Sequence, residues 1–228
     1  NIAILGHLGC GKTSLSESIL FVSGAIEKKG EVEKKSTVSD YLVEEQNRLT
    51  SLSLSLIPAE WKDYKFNFID TPGSEEFMGE INQALSVVKG AILMIDGSKG
   101  IEVGTERLWL ELTNRHIPTL IYVNKLDKEN IKFEEVLGSI RARFGKSAVP
   151  FAWPIGEGES FNGYVNLVDD QAKISNGTMC VPAEMPTDLD DVVSELREQI
   201  MESVAETSEE LLDKYLSGEG LSQEEINH

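Results

Sequence analysis

Gly6-His7-Leu8-Gly9-Cys10-Gly11-Lys12-Thr13 joins an apolar run, Ile2-Ala3-Ile4-Leu5, to a helical pattern carrying Leu15, Ile19 and Leu20. The spacing is G-x-x-x-x-G-K-[ST], and the chemistry it serves is phosphate binding. Glycines let successive backbone N–H groups turn inward around an anion, and the helix N-terminus adds partial positive charge. Lys12 is long enough to reach β- and γ-phosphates, and the Thr13 hydroxyl suits Mg²⁺. His7, Leu8, Gly9, Cys10, Gly11 and Ser14 complete the expected nucleotide-binding loop. The competing reading is a plain glycine turn between strand and helix, and the flanking elements weigh against it.

Two more polar clusters follow apolar strands. Asp70-Thr71-Pro72-Gly73 ends Phe66-Asn67-Phe68-Ile69, and Asn124-Lys125-Leu126-Asp127 ends Leu120-Ile121-Tyr122-Val123. A carboxylate at Asp127 can accept from both N1–H and the 2-amino group of guanine. Adenine lacks that pair of donors, and the site rejects it by leaving a charge poorly paired. Lys125 can lie along the base plane, and Asn124 can tie the motif to the phosphate loop. Open α/β sheets place ligands at the C-terminal ends of their strands, where all three clusters fall. GTP or GDP is the expected ligand, with ATP disfavoured by Asp127.

The elements that position these residues alternate over 1–150. After the first helix comes a polar stretch, Glu27 to Thr50, too long for an ordinary connection and so expected to be a functional or mobile loop. Leu52, Leu54 and Leu56 alternate with serines, which predicts a half-buried strand with one wet face. Lys65 to Asp70 is expected to pair with it as a hairpin. Helices are predicted near Glu76 to Val88, Thr105 to Arg115 and Phe133 to Phe144, with His116 as a helix C-cap. The fold class is α/β: a doubly wound, mostly parallel sheet of the P-loop NTPase type with one antiparallel edge strand.

Behind Ala148 prolines and glycines punctuate short β-like pieces, and 151–228 is expected to form a smaller α+β insert subdomain. Thr187-x-x-Asp190, Thr207-x-x-Glu210 and Ser222-x-x-Glu225 have capping-box spacing. The first two open helices carrying Val193, Leu196, Ile200 and Val204, then Leu211, Leu212, Tyr215 and Leu216. The third would open a helix too short to stand alone. The chain reads as a fragment of a longer protein.

Composition narrows the partners. Of the net charge of −18, residues 183–228 hold −12: fourteen acids against Arg197 and Lys214. Bulk electrostatics therefore work against nucleic-acid binding, and no sequence-specific nucleic-acid contact is expected. The acidic tail is either a solvated helical surface or a docking face for a basic partner. There is no run of eighteen apolar residues, so no membrane partner is expected. Cys10 and Cys180 lack metal-ligand spacing and read as free thiols of a reducing, cytoplasmic compartment.

In order, these motifs resemble the GTP-binding region of translation elongation factor G and its relatives. The segment around Ser39-Asp40-Tyr41, Gly104-Thr105-Glu106-Arg107 and the tail Leu211-Leu212-Asp213-Lys214-Tyr215-Leu216 share in the resemblance, the last matching the insert of that family. Pro154-Ile155-Gly156 and Phe161-Asn162-Gly163 fit elongation factor G better than the related ribosomal protection proteins. The resemblance implies a Mg²⁺-dependent GTPase acting with the ribosome, with the ribosomal stalk protein as a candidate partner of the acidic insert. It implies Thr13, Ser51 and Asp70 at the metal, Asp70 through water. It also implies a catalytic role for Lys12, for the Gly73 N–H facing the γ-phosphate, and for the residue after Gly73.

That residue departs from the family. Ser74 stands where relatives carry a histidine held against the attacking water. Arg48-Leu49-Thr50-Ser51-Leu52 replaces Arg-Gly-Ile-Thr-Ile, which keeps a hydroxyl at Ser51 but puts leucine where a turn favours glycine. Gly9 replaces an aspartate of the phosphate loop. A guanine-contacting Ser-Ala loop of the family is expected beyond His228.

Overall fold

The computed structural model describes residues 1–145, 148–177 and 179–227. It divides into two compact units, Asn1–Lys125 and Leu126–His228.

In the first unit the elements run β1 (Ile2–Gly6), α1 (Lys12–Val22), α2 (Val43–Arg48), β2 (Ser55–Trp61) and β3 (Tyr64–Asp70). A 3₁₀ turn over Glu75–Phe77 leads into α3 (Met78–Val87), followed by β4 (Gly90–Asp96), α4 (Val103–Asn114) and β5 (Thr119–Asn124). Among the described residues the strands form one five-stranded sheet in the order β2-β3-β1-β4-β5. All neighbours are parallel except the edge pair β2–β3, as the hydrophobic patterns predict. Strands covered on both faces need continuous apolar runs, and β1 and β4 supply them. Ile4, Leu5, Leu93, Met94 and Ile95 are fully buried there. Each contributes about 1.5–3 kcal/mol of transfer free energy.

The hairpin departs from the expected register. The strand begins at Ser55, and Ser55, Ile57 and Ala59 are buried while Leu56 is exposed. The alternation seen in the leucines therefore points the wrong way. The reason lies in the backbone donors just upstream. Leu52 N–H and Ser53 N–H go to the Glu45 carboxylate and Leu54 N–H goes to Glu80, so none of them enters the β-ladder. Pairing starts with Ser55 opposite Asp70, and one step of register exchanges the two faces.

In the second unit α5 (Phe133–Phe144) precedes β6 (Ala152–Ile155), a 3₁₀ turn over Gly158–Ser160, β7 (Gly163–Asn166), β8 (Gln171–Ser175) and β9 (Cys180–Ala183). These four strands form an antiparallel meander. The chain continues into α6 (Asp190–Ala205), α7 (Glu209–Leu216) and α8 (Gln223–Asn227). The units part between Lys125 and Leu126, earlier than the change of composition near residue 150, because α5 packs with the meander. Leu137 is buried in one cluster with Trp153, Val165, Leu167, Leu196 and Ile200. Phe133 meets Trp153 edge-on with ring centroids 5.1 Å apart, a favourable aromatic geometry.

Two of the three capping boxes are corrected. The N-cap of α7 is Ser208, whose Oγ accepts from Leu211 N–H at 3.2 Å, while Thr207 Oγ donates back to Val204 O. At α6 the N-cap is Leu189, and no side chain caps the helix. The third box forms: Ser222 N–H donates to Glu225 at 2.7 Å, and Glu225 N–H donates to Ser222 Oγ at 3.3 Å. His116 closes α4 one residue beyond its C-cap, at φ 52°, with Ile117 N–H donating to Leu112 O. That left-handed closure satisfies the last carbonyls of the helix.

Candidate functional site

The phosphate loop runs from the end of β1 to the start of α1. Gly11 takes φ 103°, and a Cβ there would run into Asn124 Nδ2, so only glycine fits. Lys12 is 6% exposed, and its ammonium donates to the carbonyls of Gly6 at 2.9 Å and His7 at 3.2 Å. Leu8, Gly9 and Ser14 are exposed, Cys10 is buried, and His7 is half-buried with Nε2 3.4 Å from Glu102. Burial pushes the Cys10 thiol up, which keeps it neutral beside Lys12.

At the end of β3 the Asp70-Thr71-Pro72-Gly73 turn is pressed against this loop. A Cβ at Gly73 would lie 2.8 Å from Leu8 N and 2.5 Å from Lys12 Nζ, so its backbone sits on the loop itself. Thr71 Oγ donates to Ile4 O at 2.8 Å and fastens the turn to β1. Asp70 is fully buried, and neither carboxylate oxygen has a partner. Burial raises its pKa to about 6, opposed only in part by the Lys12 charge. An orphaned buried carboxylate of this kind is expected where a hydrated cation belongs.

The polar stretch upstream of β2 reaches the same place. Ser51 Oγ and Thr13 Oγ1 lie 3.2 Å apart, and Ser51 Oγ donates to Asp40 Oδ1 at 2.7 Å. A hydroxyl has one proton, so with Ser51 committed to Asp40 the Thr13 hydroxyl donates to Ser51. Asp40 is 3% exposed, and burial raises its pKa, with Ser51 opposing and Glu45 and Glu17 adding to the rise. The two hydroxyls and the two acids make an oxygen-rich set suited to Mg²⁺.

The other edge of the site is the end of β5. Asn124 Nδ2 donates to Cys10 O at 2.9 Å, as its expected tie to the phosphate loop requires. Lys125, at φ 63°, sends Nζ to Gly9 O at 2.5 Å and to Asp96 Oδ2 at 2.7 Å. Asp127 follows two residues later, exposed in the turn that opens the second unit.

Residues 1–223 match the family model of the elongation factor Tu GTP binding domain. The chain belongs to this family. It is thus a GTP-binding domain of that family. It is also similar to a crystal structure of a protein from Thermus thermophilus, at 31% identity and a TM-score of 0.93. The match covers 99% of this chain and 34% of that one, so the chain spans about a third of the length of this relative.

Within this GTP-binding domain the departures noted in the sequence take definite form. Ser74 is an extended residue before the 3₁₀ turn, and its side chain caps nothing. Leu49 adopts φ 54° and ψ 40°, so the turn closing α2 keeps the left-handed conformation despite leucine. Gly9 has φ 78° with open space where a Cβ would stand.

Four acids escaped the sequence reading. Asp40 was part of a recognised segment but had no role, and Asp96 ends β4 at the ligand-bearing edge of the sheet. Glu17 and Glu45 are fully buried. Glu17 accepts from Gly30 N–H at 3.0 Å and Val38 N–H at 2.6 Å. Glu45 accepts from Leu42, Leu52 and Ser53 N–H at 2.9–3.1 Å. Only the strand-end position of Asp96 is a legible signal; the partners of Asp40 are hydroxyls and those of Glu17 and Glu45 backbone N–H groups, all brought close by the tertiary fold.

Proposed function

We propose that this chain is the nucleotide-binding portion of an elongation factor G-like translational GTPase, in which GTP hydrolysis is coupled to the ribosome. The observation that carries the reading is the seating of Gly73 on Leu8 and Lys12. It brings the turn after β3 and the phosphate loop to one place, where a γ-phosphate would meet both. The loop amides and Lys12 bind the phosphates, and the Gly73 N–H faces the γ-phosphate. Asp127 accepts from N1–H and the 2-amino group of guanine, with Lys125 along the base. Thr13 and Ser51 would hold Mg²⁺ through their hydroxyls, with Asp70 and Asp40 acting on its waters. When bound, the ion supplies charge neutralisation at the β- and γ-phosphates. Residues 1–150 carry this chemistry, and the acidic helices beyond them are a face for a basic partner such as the ribosomal stalk protein, in the cytoplasm.

A second reading has its own observation. Ser74 offers a short, weakly basic hydroxyl where relatives place an imidazole, and loss of such a group costs ~10²–10⁴ in rate. The protein would then be a GTP-loaded ribosome-binding switch that hydrolyses slowly. Single-turnover hydrolysis with and without ribosomes separates the two: stimulation to the level of ordinary relatives supports the first and removes the second. Competition by ATP as strong as by GTP would overturn the guanine assignment.

A further inference from the structure

Asp96 is the last residue of β4 and stands in register with Asn124, the last of β5. Its carboxylate is fully buried and takes three donors: Lys125 Nζ on Oδ2 at 2.7 Å, and Ser98 N–H and Oγ on Oδ1 at 3.0 and 2.6 Å. Lys125 is 27% exposed, and its other hydrogen bond goes to Gly9 O. Next to it Asn124 holds Cys10 O, so two adjacent side chains grip two adjacent carbonyls of the phosphate loop. An ammonium that is partly exposed competes with water for its partners, and the buried Asp96 carboxylate is the stronger of the two that hold Lys125.

We propose that Asp96 is a positioning residue for nucleotide retention: it anchors Lys125 across the phosphate loop, so that the lysine stem is set for the base and Gly9 O is held. The inference rests on the GTP reading above, and it adds a residue that no part of the four-residue Asn124 to Asp127 motif supplies. Burial works against ionisation of this carboxyl, but hydrogen bonds from Lys125 and Ser98 outweigh it and hold its pKa below the ordinary value. The buried group is therefore a charge throughout the neutral range. Asparagine in its place keeps the shape and a hydrogen bond to Lys125 but removes the attraction. Lys125 then moves toward solvent, and both the base and the loop lose an ordered neighbour.

The test is a double-mutant cycle on GDP release, followed with a fluorescent GDP analogue in the parent chain, Asp96→Asn, Lys125→Met and the double variant. Asp96→Asn is expected to speed release by roughly tenfold to a hundredfold. Adding it to Lys125→Met should change little, because its target is already gone. Asp96→Glu should recover part of the retention. Release from Asp96→Asn at the parental rate, or losses that simply add in the double variant, would overturn the role. Failure of the parent itself to bind guanine nucleotides would overturn the GTP reading and this one together. Parental binding with an unaffected Asp96→Asn overturns this one alone.

Discussion

The hydroxyl oxygens of Thr13 and Ser51 lie 3.2 Å apart across thirty-eight residues of chain. On the proposed assignment these two hydroxyls would hold Mg²⁺, which when bound supplies charge neutralisation at the phosphates. Asp40 holds Ser51 from behind, and Asp70 lies buried and unpaired near Lys12 and Thr13.

Removing one of the pair should therefore be felt through the metal. Ser51→Ala is expected to weaken Mg²⁺-dependent GTP binding about tenfold while changing GDP binding much less, because ordering this segment depends on the γ-phosphate. Titrations with fluorescent analogues of both nucleotides, with and without Mg²⁺, measure the contrast. Equal losses for GTP and GDP would contradict the assignment.

Ser74→His should raise ribosome-dependent GTP hydrolysis, with little change in GTP affinity. Ser74 follows the glycine seated on the phosphate loop, so an imidazole there can reach the attacking water. On the proposed assignment affinity comes from the loop amides, Lys12 and Asp127, which the change leaves alone. Rapid hydrolysis by the native protein, unaltered by the substitution, would show that the catalytic role lies elsewhere.

Glu45 carries three backbone N–H groups from both ends of α2. Glu45→Ala leaves these donors without a carboxylate in a half-buried setting, at a cost of about 2–4 kcal/mol. The expected result is a lower melting midpoint and faster proteolysis within residues 27–54. Digestion at the parental rate would argue against the carboxylate as the fastener of this segment.

Leu49→Gly should stabilise the chain by ~1 kcal/mol, because leucine at φ 54° bears a left-handed strain that glycine does not. Part of the gain is offset by the greater freedom of glycine in the unfolded chain. Urea denaturation of the two proteins side by side gives the difference, and a destabilised glycine variant would refute the strain.

The Glu225 carboxylate accepts from Lys214 Nζ at 2.7 and 3.1 Å and from Ser222 N–H and Oγ at 2.7 and 2.8 Å. The Lys214 hydrogen bond first, and Ser222 after it, pull its pKa down to about 2 from the ordinary 4.5. Because the folded value lies below the unfolded one, the contribution is intact above pH 4.5 and fades as pH falls toward 2. Carboxyl NMR should show Glu225 titrating last among the glutamates on acidification, and Lys214→Ala should move it back toward the ordinary range. An unshifted Glu225 in the parent would break the argument.

Sequence alone determined the alternation of strands and helices, the mostly parallel sheet with its antiparallel edge strand, the phosphate loop, the turn at Asp70 to Gly73 and the tie between Asn124 and the loop. Each depends on short spacings within a few residues, or on apolar runs whose period names the element that buries them. Other features were decided only by the tertiary structure, because they depend on groups far apart in the chain competing for the same partner. Serine and leucine alternate over 51–56, yet Glu45 and Glu80 claim the backbone donors of 52–54, and the strand starts one face over. Thr207 and Ser208 are both plausible caps, and the Val204 carbonyl takes the first. The five-residue α8 is too short to hold by itself, but Lys214, the Val168 carbonyl and the apolar cluster around Ile226 receive it. Asp40, Glu17 and Glu45 look like ordinary surface acids in the sequence, and only its place at a strand end sets Asp96 apart. Folding buries them against backbone N–H groups, hydroxyls and one lysine, and a linear pattern carries no trace of such partners.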